Sequence, residues 1–366
     1  MRACVVGGGL AGSLLAWRLA RATSRWDIHL VSGGRRADAT AASGGAVRAY
    51  EPDPMQRRLA TVSMVELLGS RTLRDWADYR PGEAVTLRRD GDGLDAAVAD
   101  IEMLLPGSAE VVGPAELERR GWAGLHDGAA AVLERHAGWT SPDRLRDRLL
   151  ADAVAGGRVT VIDGVVGAVA GGGEGDDGPV TCAVGGERRE YDLVVLAAGP
   201  WTPALLRASG LPADGWRTKS VQYSVHPVDG WLPTQFVDGV TGLFGRPTAD
   251  GGLLLGLPTD EWDVDPDRPA ATPALHESAV RLARARFPAL RAGPAVRRVA
   301  AADCYSADSV LALRRVPHSG RGLFTFSGGA GGSAKTALAA SSRAAVQLAE
   351  SGHWTEATSV GRRKGQ

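Results

Sequence analysis

The feature that most constrains this chain lies near its start: the run Gly7-Gly8-Gly9-Leu10-Ala11-Gly12, directly behind the apolar stretch Ala3-Cys4-Val5-Val6. Gly7, Gly9 and Gly12 fill the three glycine places of G-x-G-x-x-G. Residues 13–22, rich in Ala, Leu and Arg, read as helix, and Asp27-Ile28-His29-Leu30-Val31 reads as a second strand. In that setting each glycine has a task. The first permits a tight turn, the second lets backbone approach a pyrophosphate, and the third lets helix pack closely on strand. The anion rests on the helix N-terminus at Leu10 and Ala11, where free N–H groups and the macrodipole favour negative charge. The second strand of such units ends in Asp or Glu, which holds the adenosine ribose; here that place is Ser32, a weaker clamp.

A chain of 366 residues can bury a large core and suggests two domains. Positive and negative charges balance at 42 each, which argues against a nucleic-acid or anionic-membrane partner. Only Lys219, Lys335 and Lys364 are lysines among the basic residues, so each is more informative than usual. Cys4, Cys182 and Cys304 are far apart and form no metal spacing, which fits a reduced, cytoplasmic compartment and no metal. No apolar stretch is long enough to span a bilayer, so a soluble protein is expected.

Along the chain, a polar loop over 33–42 precedes Ser43-Gly44-Gly45-Ala46-Val47-Arg48-Ala49-Tyr50. Helical periodicity predicts one long amphipathic helix over 55–76, with Pro54 at its start. Ser141-Pro142 opens a helix to about residue 155 as N-cap and first helical position. Residues 159–166 read as one strand, 171–178 as an exposed turn, and the wholly apolar run 191–199 as a buried parallel strand ending in a glycine turn. Residues 218–258 alternate Val221, Tyr223 and Val225 with Gln222, Ser224 and His226, as an antiparallel sheet with one ligand-facing side would. An acidic loop at 260–269 reads as solvated, and 275–287 as helix. A strand over 322–327, a glycine turn over 328–332 and a helix over 333–350 close the chain, before a polar tail at 351–366. The expected fold is α/β: a Rossmann-like FAD-binding domain from 1–80, 137–215 and 300–350, with a mainly antiparallel β substrate domain inserted as 81–136 and 216–299.

The order of these motifs resembles the FAD-dependent D-amino-acid oxidase superfamily, nearest its glycine and sarcosine oxidase branch. The residues that carry the resemblance are the Gly7–Gly12 fingerprint, the segments 43–48 and 138–142, Leu196-Ala197-Ala198-Gly199-Pro200-Trp201, and 326–335. The resemblance implies FAD, bound non-covalently. It places Val165 or Val166 by the adenine, Ala198, Gly199 and Trp201 near the pyrophosphate, and Ser43, Gly44 and Gly45 along the isoalloxazine. Gly329, Gly331, Gly332, Ser333 and Lys335 then face the pyrimidine end, where a helix N-terminus stabilises negative charge on the reduced ring. In related sarcosine oxidases a lysine over the flavin promotes reaction with oxygen; Leu254 stands near that place here. A cysteine of those enzymes links the flavin, and Cys304-Tyr305 is shifted by one residue from it.

The chemistry implied is oxidation of the C–N bond of an amine, amino acid or cyclic imino acid to an imine, with O2 or another compound as final electron acceptor. A substrate α-carboxylate calls for a fixed cation, ideally arginine. Arg48 and Lys335 are the candidates; Arg48 reads equally as a structural arginine, and Lys335 as a flavin contact. Tyr50 is a candidate beside Arg48, or a core tyrosine. His226 is the acid–base candidate by residue type, or a hydrogen-bonded histidine of the sheet. A flavin-dependent monooxygenase of an aromatic substrate and a non-catalytic flavin-binding subunit are the competing readings, and a biosynthetic step fits the biased composition.

Overall fold

The computed structural model describes residues 1–33, 38–171 and 178–362, with side chains described as far as residue 350. Parts of the loop expected at 33–42 and of the turn expected at 171–178 lie outside the described residues. The opening unit forms as its pattern dictates. Strand Arg2–Val6 leads into helix Leu10–Ala22 and then into strand Asp27–Ser32, paired in parallel from Arg2 with Asp27 to Val6 with Val31. Helix and sheet bury Leu14, Leu15 and Leu19 against Val5, Ile28 and Leu30. Each such fully buried side chain contributes about 1.5–3 kcal/mol.

Two glycines make the close approach possible. Gly7 has φ +118°, and a Cβ there would lie 2.3 Å from the Ala197 carbonyl oxygen. A Cβ at Gly12 would lie 2.0 Å from the Gly7 carbonyl oxygen. In both cases the obstacle is backbone, which cannot swing aside.

This unit forms the centre of a six-stranded sheet, ordered Ala312–Arg315, Leu323–Ser327, Leu193–Leu196, Arg2–Val6, Asp27–Ser32, Val159–Asp163. Its pairs are parallel except the edge pair made by Ala312–Arg315. The strand Leu193–Leu196 is buried at every residue, as its unbroken apolar run requires. Arg18, in the first helix, donates to the Glu66 carboxylate at 2.7 Å and also to Leu338 O and Ser341 Oγ. One guanidinium thereby ties together three helices.

A second, nine-stranded sheet holds Arg297–Ser306, Trp216–His226, Leu253–Gly256, Phe244–Pro247, Gln235–Asp238, Arg80–Arg88, Ala130–Trp139 and Ala46–Val47 in that order, with Ala109–Val112 also on Ala130–Trp139. All its pairs are antiparallel except Gln235–Asp238 with Arg80–Arg88. Its own apolar cluster includes Val85, Trp122, Phe236 and Phe287. The class is therefore the expected mixed α/β, a mainly parallel sheet beside a mainly antiparallel one.

Three local expectations need correction. The helix read over 55–76 is two, Pro54–Gly69 and Arg71–Trp76. Ser70, at φ −112° and ψ 108°, breaks the run and caps the second piece by accepting from Leu73 N at 3.2 Å. The strand read over 159–166 is divided at Gly164 into Val159–Asp163 and Val166–Ala170, the latter in a separate three-stranded antiparallel sheet. The last helix, Ala337–Arg362, continues past residue 350, because Gly352 weakens a helix without stopping it and no proline follows. Among the described residues, no helix is long and apolar enough to cross a membrane.

Candidate active site

A cavity of about 1080 Å³ runs along the C-terminal edge of the parallel sheet and beneath the larger sheet. At one end it is lined by Gly7, Gly8, Gly9, Leu10 and Ala11, with Ser32, Val165 and Val166 alongside. The helix that begins at Leu10 has no side-chain cap from Gly9 and no acidic residue in its first turn. Thr40 Oγ1 accepts from Leu10 N at 2.9 Å, and Ala11 stands at the cavity wall with no capping side chain. Such an end is built for an anion. Ser32 is packed against the glycine turn, since a Cβ at Gly8 would lie 2.5 Å from its hydroxyl oxygen.

Farther along, Ala198, Gly199 and Trp201 line one wall and Ser43, Gly44 and Gly45 the other. The second segment is held rigidly. Gly45 has φ +66°, and a side chain there would meet the Thr140 carbonyl. Thr140 N donates to Gly45 O at 2.8 Å, and Arg246 Nε donates to Gly44 O. Gly329, Gly331, Gly332, Ser333 and Lys335 close the far end. Gly331 N–H is already used, donating to Tyr305 Oη at 2.8 Å. Lys335 lies in the 3₁₀ turn Ser333–Lys335 that precedes the last helix, not within the helix. The residues present fit FAD: an elongated cradle, glycines where side chains would intrude, and for the pyrophosphate a helix end with glycine at its N-cap and no acidic residue in its first turn.

Gly12 does not line the cavity; its task is helix–strand contact, as the motif assigns it. Tyr50 and His226 do not line it either. Tyr50 belongs to the apolar core with Met64 and Leu67. His226 is 3 % exposed, with Nε2 on Ser224 Oγ and Nδ1 on Gly293 O, both at 2.9 Å. Both ring nitrogens are spent holding the sheet, and burial lowers its pKa. His226 is therefore corrected from acid–base candidate to structural histidine.

Arg48 and Lys335 come together, through a residue the sequence did not single out. Glu51 Oε1 lies 2.8 Å from Arg48 Nη2 and 3.0 Å from Lys335 Nζ. Burial pushes the Glu51 carboxyl up, but Lys335 and Arg48 together hold it below its ordinary range. Lys335 is pushed down by burial, which Glu51 offsets only in part. Arg48 Nε has no hydrogen-bond partner. Behind them Glu134 Oε1 accepts from Ala49 N at 2.6 Å and Tyr50 N at 3.1 Å, and burial raises its carboxyl to about 6.

Three more charged residues at this end were missed. Asp303 borders the cavity, and burial raises its carboxyl to about 6 against the pull of Lys335. Lys219, its cross-strand neighbour, has Nζ 4.6 Å from the Trp262 ring centroid. Arg246 lines the cavity from the strand Phe244–Pro247. The scarcity of lysine was a signal for Lys219; nothing in the sequence set Asp303 or Arg246 apart. Leu254 lines the wall near Gly44, where a Cβ would touch it at 3.5 Å. Cys304 is buried, and burial drives its thiol to about 12, so it is a poor nucleophile.

No curated protein sequence matches the chain. Solved structures do match in fold. Glycine oxidase from Bacillus cereus has a TM-score of 0.71 and 16% identity, covering 96% of this chain and 95% of that one. L-proline dehydrogenase from P. horikoshii gives 0.76 at 17% identity, covering 96% and 93%. L-alpha-glycerophosphate oxidase from Mycoplasma pneumoniae, solved with FAD bound, gives 0.75 at 16% identity, covering 95% and 94%. The sequence model of the DAO family, described as FAD dependent oxidoreductase, matches residues 2–348. With nearly its whole length matched and a cradle that fits the cofactor, the chain belongs to the DAO family of FAD-dependent oxidoreductases.

Proposed function

We propose that the protein oxidises the C–N bond of an amino acid, cyclic imino acid or amine to an imine, at the end of the cavity where the FAD-binding segments meet the substrate domain read over 81–136 and 216–299. The observation that carries this reading is the collection of opposite charges at one end of the cavity: Arg48, Lys335, Lys219 and Arg246 against Asp303. A zwitterion needs both signs, each desolvated and fixed. Bound FAD supplies the acceptor for the hydride that leaves the substrate carbon. The chain supplies the rest. The walls hold the C–H bond in place, and the cationic side favours an anionic group. Asp303 receives the substrate ammonium and takes the proton that nitrogen must lose before its electron pair forms the C=N bond. The imine then hydrolyses to a carbonyl compound and an amine or ammonia. Support for an amine substrate also comes from the fold's company, which includes proteins titled glycine oxidase and L-proline dehydrogenase.

The reading is tested by products: an α-amino acid substrate should yield a 2-oxo acid and ammonia in equal amounts without NAD(P)H. A hydroxylated product formed only with NAD(P)H would contradict it. The Asp303 role makes a separate prediction. Its raised carboxyl is ionised above about pH 6, so flavin reduction should slow as pH falls through that value. Asp303→Asn should reduce the rate about 100-fold and remove that acid limb, read by stopped-flow reduction across pH. An acid limb unchanged in the variant would remove Asp303 from the role.

A further inference from the structure

Gln222 and Gln235 both border the cavity, and they differ in what their amides leave over. Gln222 Oε1 accepts from Thr272 N at 2.6 Å, and its Nε2 donates to Ser220 Oγ at 3.0 Å. Both ends of that amide are engaged inside the protein. Gln235 is 3 % exposed and donates from Nε2 to Val47 O at 3.4 Å, while its Oε1 has no donor among the described residues. The reverse orientation would set two acceptor oxygens against each other across that gap, so the oxygen is the unengaged end. A buried acceptor without a donor carries the full desolvation penalty of the group, and an apolar side chain would fill the wall without it.

The setting sharpens the contrast. Gln235 opens the strand Gln235–Asp238, flanked by Arg80–Arg88 and Phe244–Pro247. Phe244, on one neighbouring strand, and Leu254, on the strand after it, line the same cavity. Oε1 is therefore a lone acceptor beside an apolar wall. In sheet order Gln235 stands four strands from Arg297–Ser306, which carries Asp303. It meets a part of the substrate remote from the nitrogen that Asp303 receives.

We infer that Gln235 determines specificity, its amide oxygen accepting a hydrogen bond from an O–H or N–H group at the far end of the substrate. This rests on the proposed reaction and narrows its substrate to an extended amine or amino acid whose side chain ends in a neutral donor. Discrimination comes chiefly from rejection: an analogue without the donor leaves Oε1 buried and unpaired. The bond to Val47 O holds the amide in place beforehand, so little side-chain freedom is lost on binding.

The flavin-loaded protein supplies the test. Phenylacetate, its 4-hydroxy and 4-amino derivatives and 4-methoxyphenylacetate are titrated against the flavin absorption spectrum. At least one donor-bearing derivative should bind the wild type about 10-fold or more tighter than 4-methoxyphenylacetate, which has similar bulk and no donor. Gln235→Met should retain flavin and bring that ratio close to one, and Gln235→Leu, of different shape, should do the same. The wild-type ratio needs no variant, so a folding defect in either variant cannot rescue the inference. Tyrosine is then compared with phenylalanine, and glutamine with glutamate 5-methyl ester, in both enantiomers, by anaerobic flavin bleaching. The donor-bearing member of at least one pair should bleach the flavin about 10-fold faster. The inference is overturned if neither set shows a donor preference in the wild type. It is equally overturned if Gln235→Met weakens donor-bearing and donor-less ligands by the same factor, which would make Gln235 only a support for Val47. Equal bleaching by both members of each pair would sink the inference and keep the proposed reaction. A donor preference among the ring acids, with no bleaching by any amine, would contradict the reaction and not the contact.

Discussion

Gly12→Val is expected to yield a protein that retains no flavin and unfolds at far lower denaturant than the wild type. The valine Cβ would stand 2.0 Å from the Gly7 carbonyl oxygen, with the Ala197 Cβ at 3.2 Å. Neither can yield without moving strand Arg2–Val6 away from helix Leu10–Ala22. That movement opens the packing of Leu14, Leu15 and Leu19, all completely buried. Overpacking at a flexible site costs about 1–3 kcal/mol, and a backbone obstacle should push the cost to the top of that range or beyond it. It also rotates the helix end that faces the cavity. Gly69→Ala is the matched control. That glycine ends helix Pro54–Gly69 with nothing within 4 Å of a new Cβ, so alanine should be neutral or stabilising by up to about 1 kcal/mol. Flavin content of the purified variants and urea midpoints decide both.

The second large effect is expected from Glu51→Gln. Two buried cations then face each other without their ion-pair partner, Arg48 with 12% and Lys335 with 7% of its side chain exposed, and only the fields of Glu134 and Asp303 oppose them. Removing one member of a buried ionic set costs about 3–5 kcal/mol, mostly the price of the charge left behind. Lys335→Met in the same chain should recover a large part of that loss, because Arg48 alone then needs a partner. A double-mutant cycle on urea midpoints measures this coupling. The pH dependence has a definite sign. The folded pKa of Glu51 is held below its unfolded value, so its stabilisation is complete above about pH 4.3 and is lost as pH falls through the folded value. Glu51→Gln should lack that part of the acid loss. Equal stability of the single and double variants would show that Glu51 is not the hub of the cluster.

What the sequence made legible follows from what sequence encodes directly. The glycines at 7 and 12 were readable because backbone constraint leaves a residue-type signature, and only glycine satisfies a φ of +118° or a 2.0 Å gap. The buried strand Leu193–Leu196 was readable because burial on both faces demands an unbroken apolar run. Helix breaks were harder. Ser70 interrupts one helix and starts another by a local hydrogen bond that periodicity does not register. The charged end of the cavity was least legible, because its meaning depends on pairings across long stretches of chain. Glu51 meets Lys335 only after the last glycine turn folds back over it. Arg246 is one arginine among many until strand Phe244–Pro247 places it on the cavity wall. His226 illustrates the converse. Its residue type promises acid–base chemistry, yet Ser224 and Gly293 occupy both nitrogens.

The central claim is that this chain uses FAD to take a hydride from a carbon bonded to nitrogen. It is tested most directly by anaerobic addition of amino acids, cyclic imino acids and simple amines to the flavin-loaded protein, with the flavin absorption recorded. The account predicts that at least one carboxylate-bearing amine bleaches the flavin with no NAD(P)H present, and that its 2-hydroxy-acid analogue does not. Bleaching that requires NAD(P)H, or a protein that reacts with the hydroxy acid and with no amine, would contradict it.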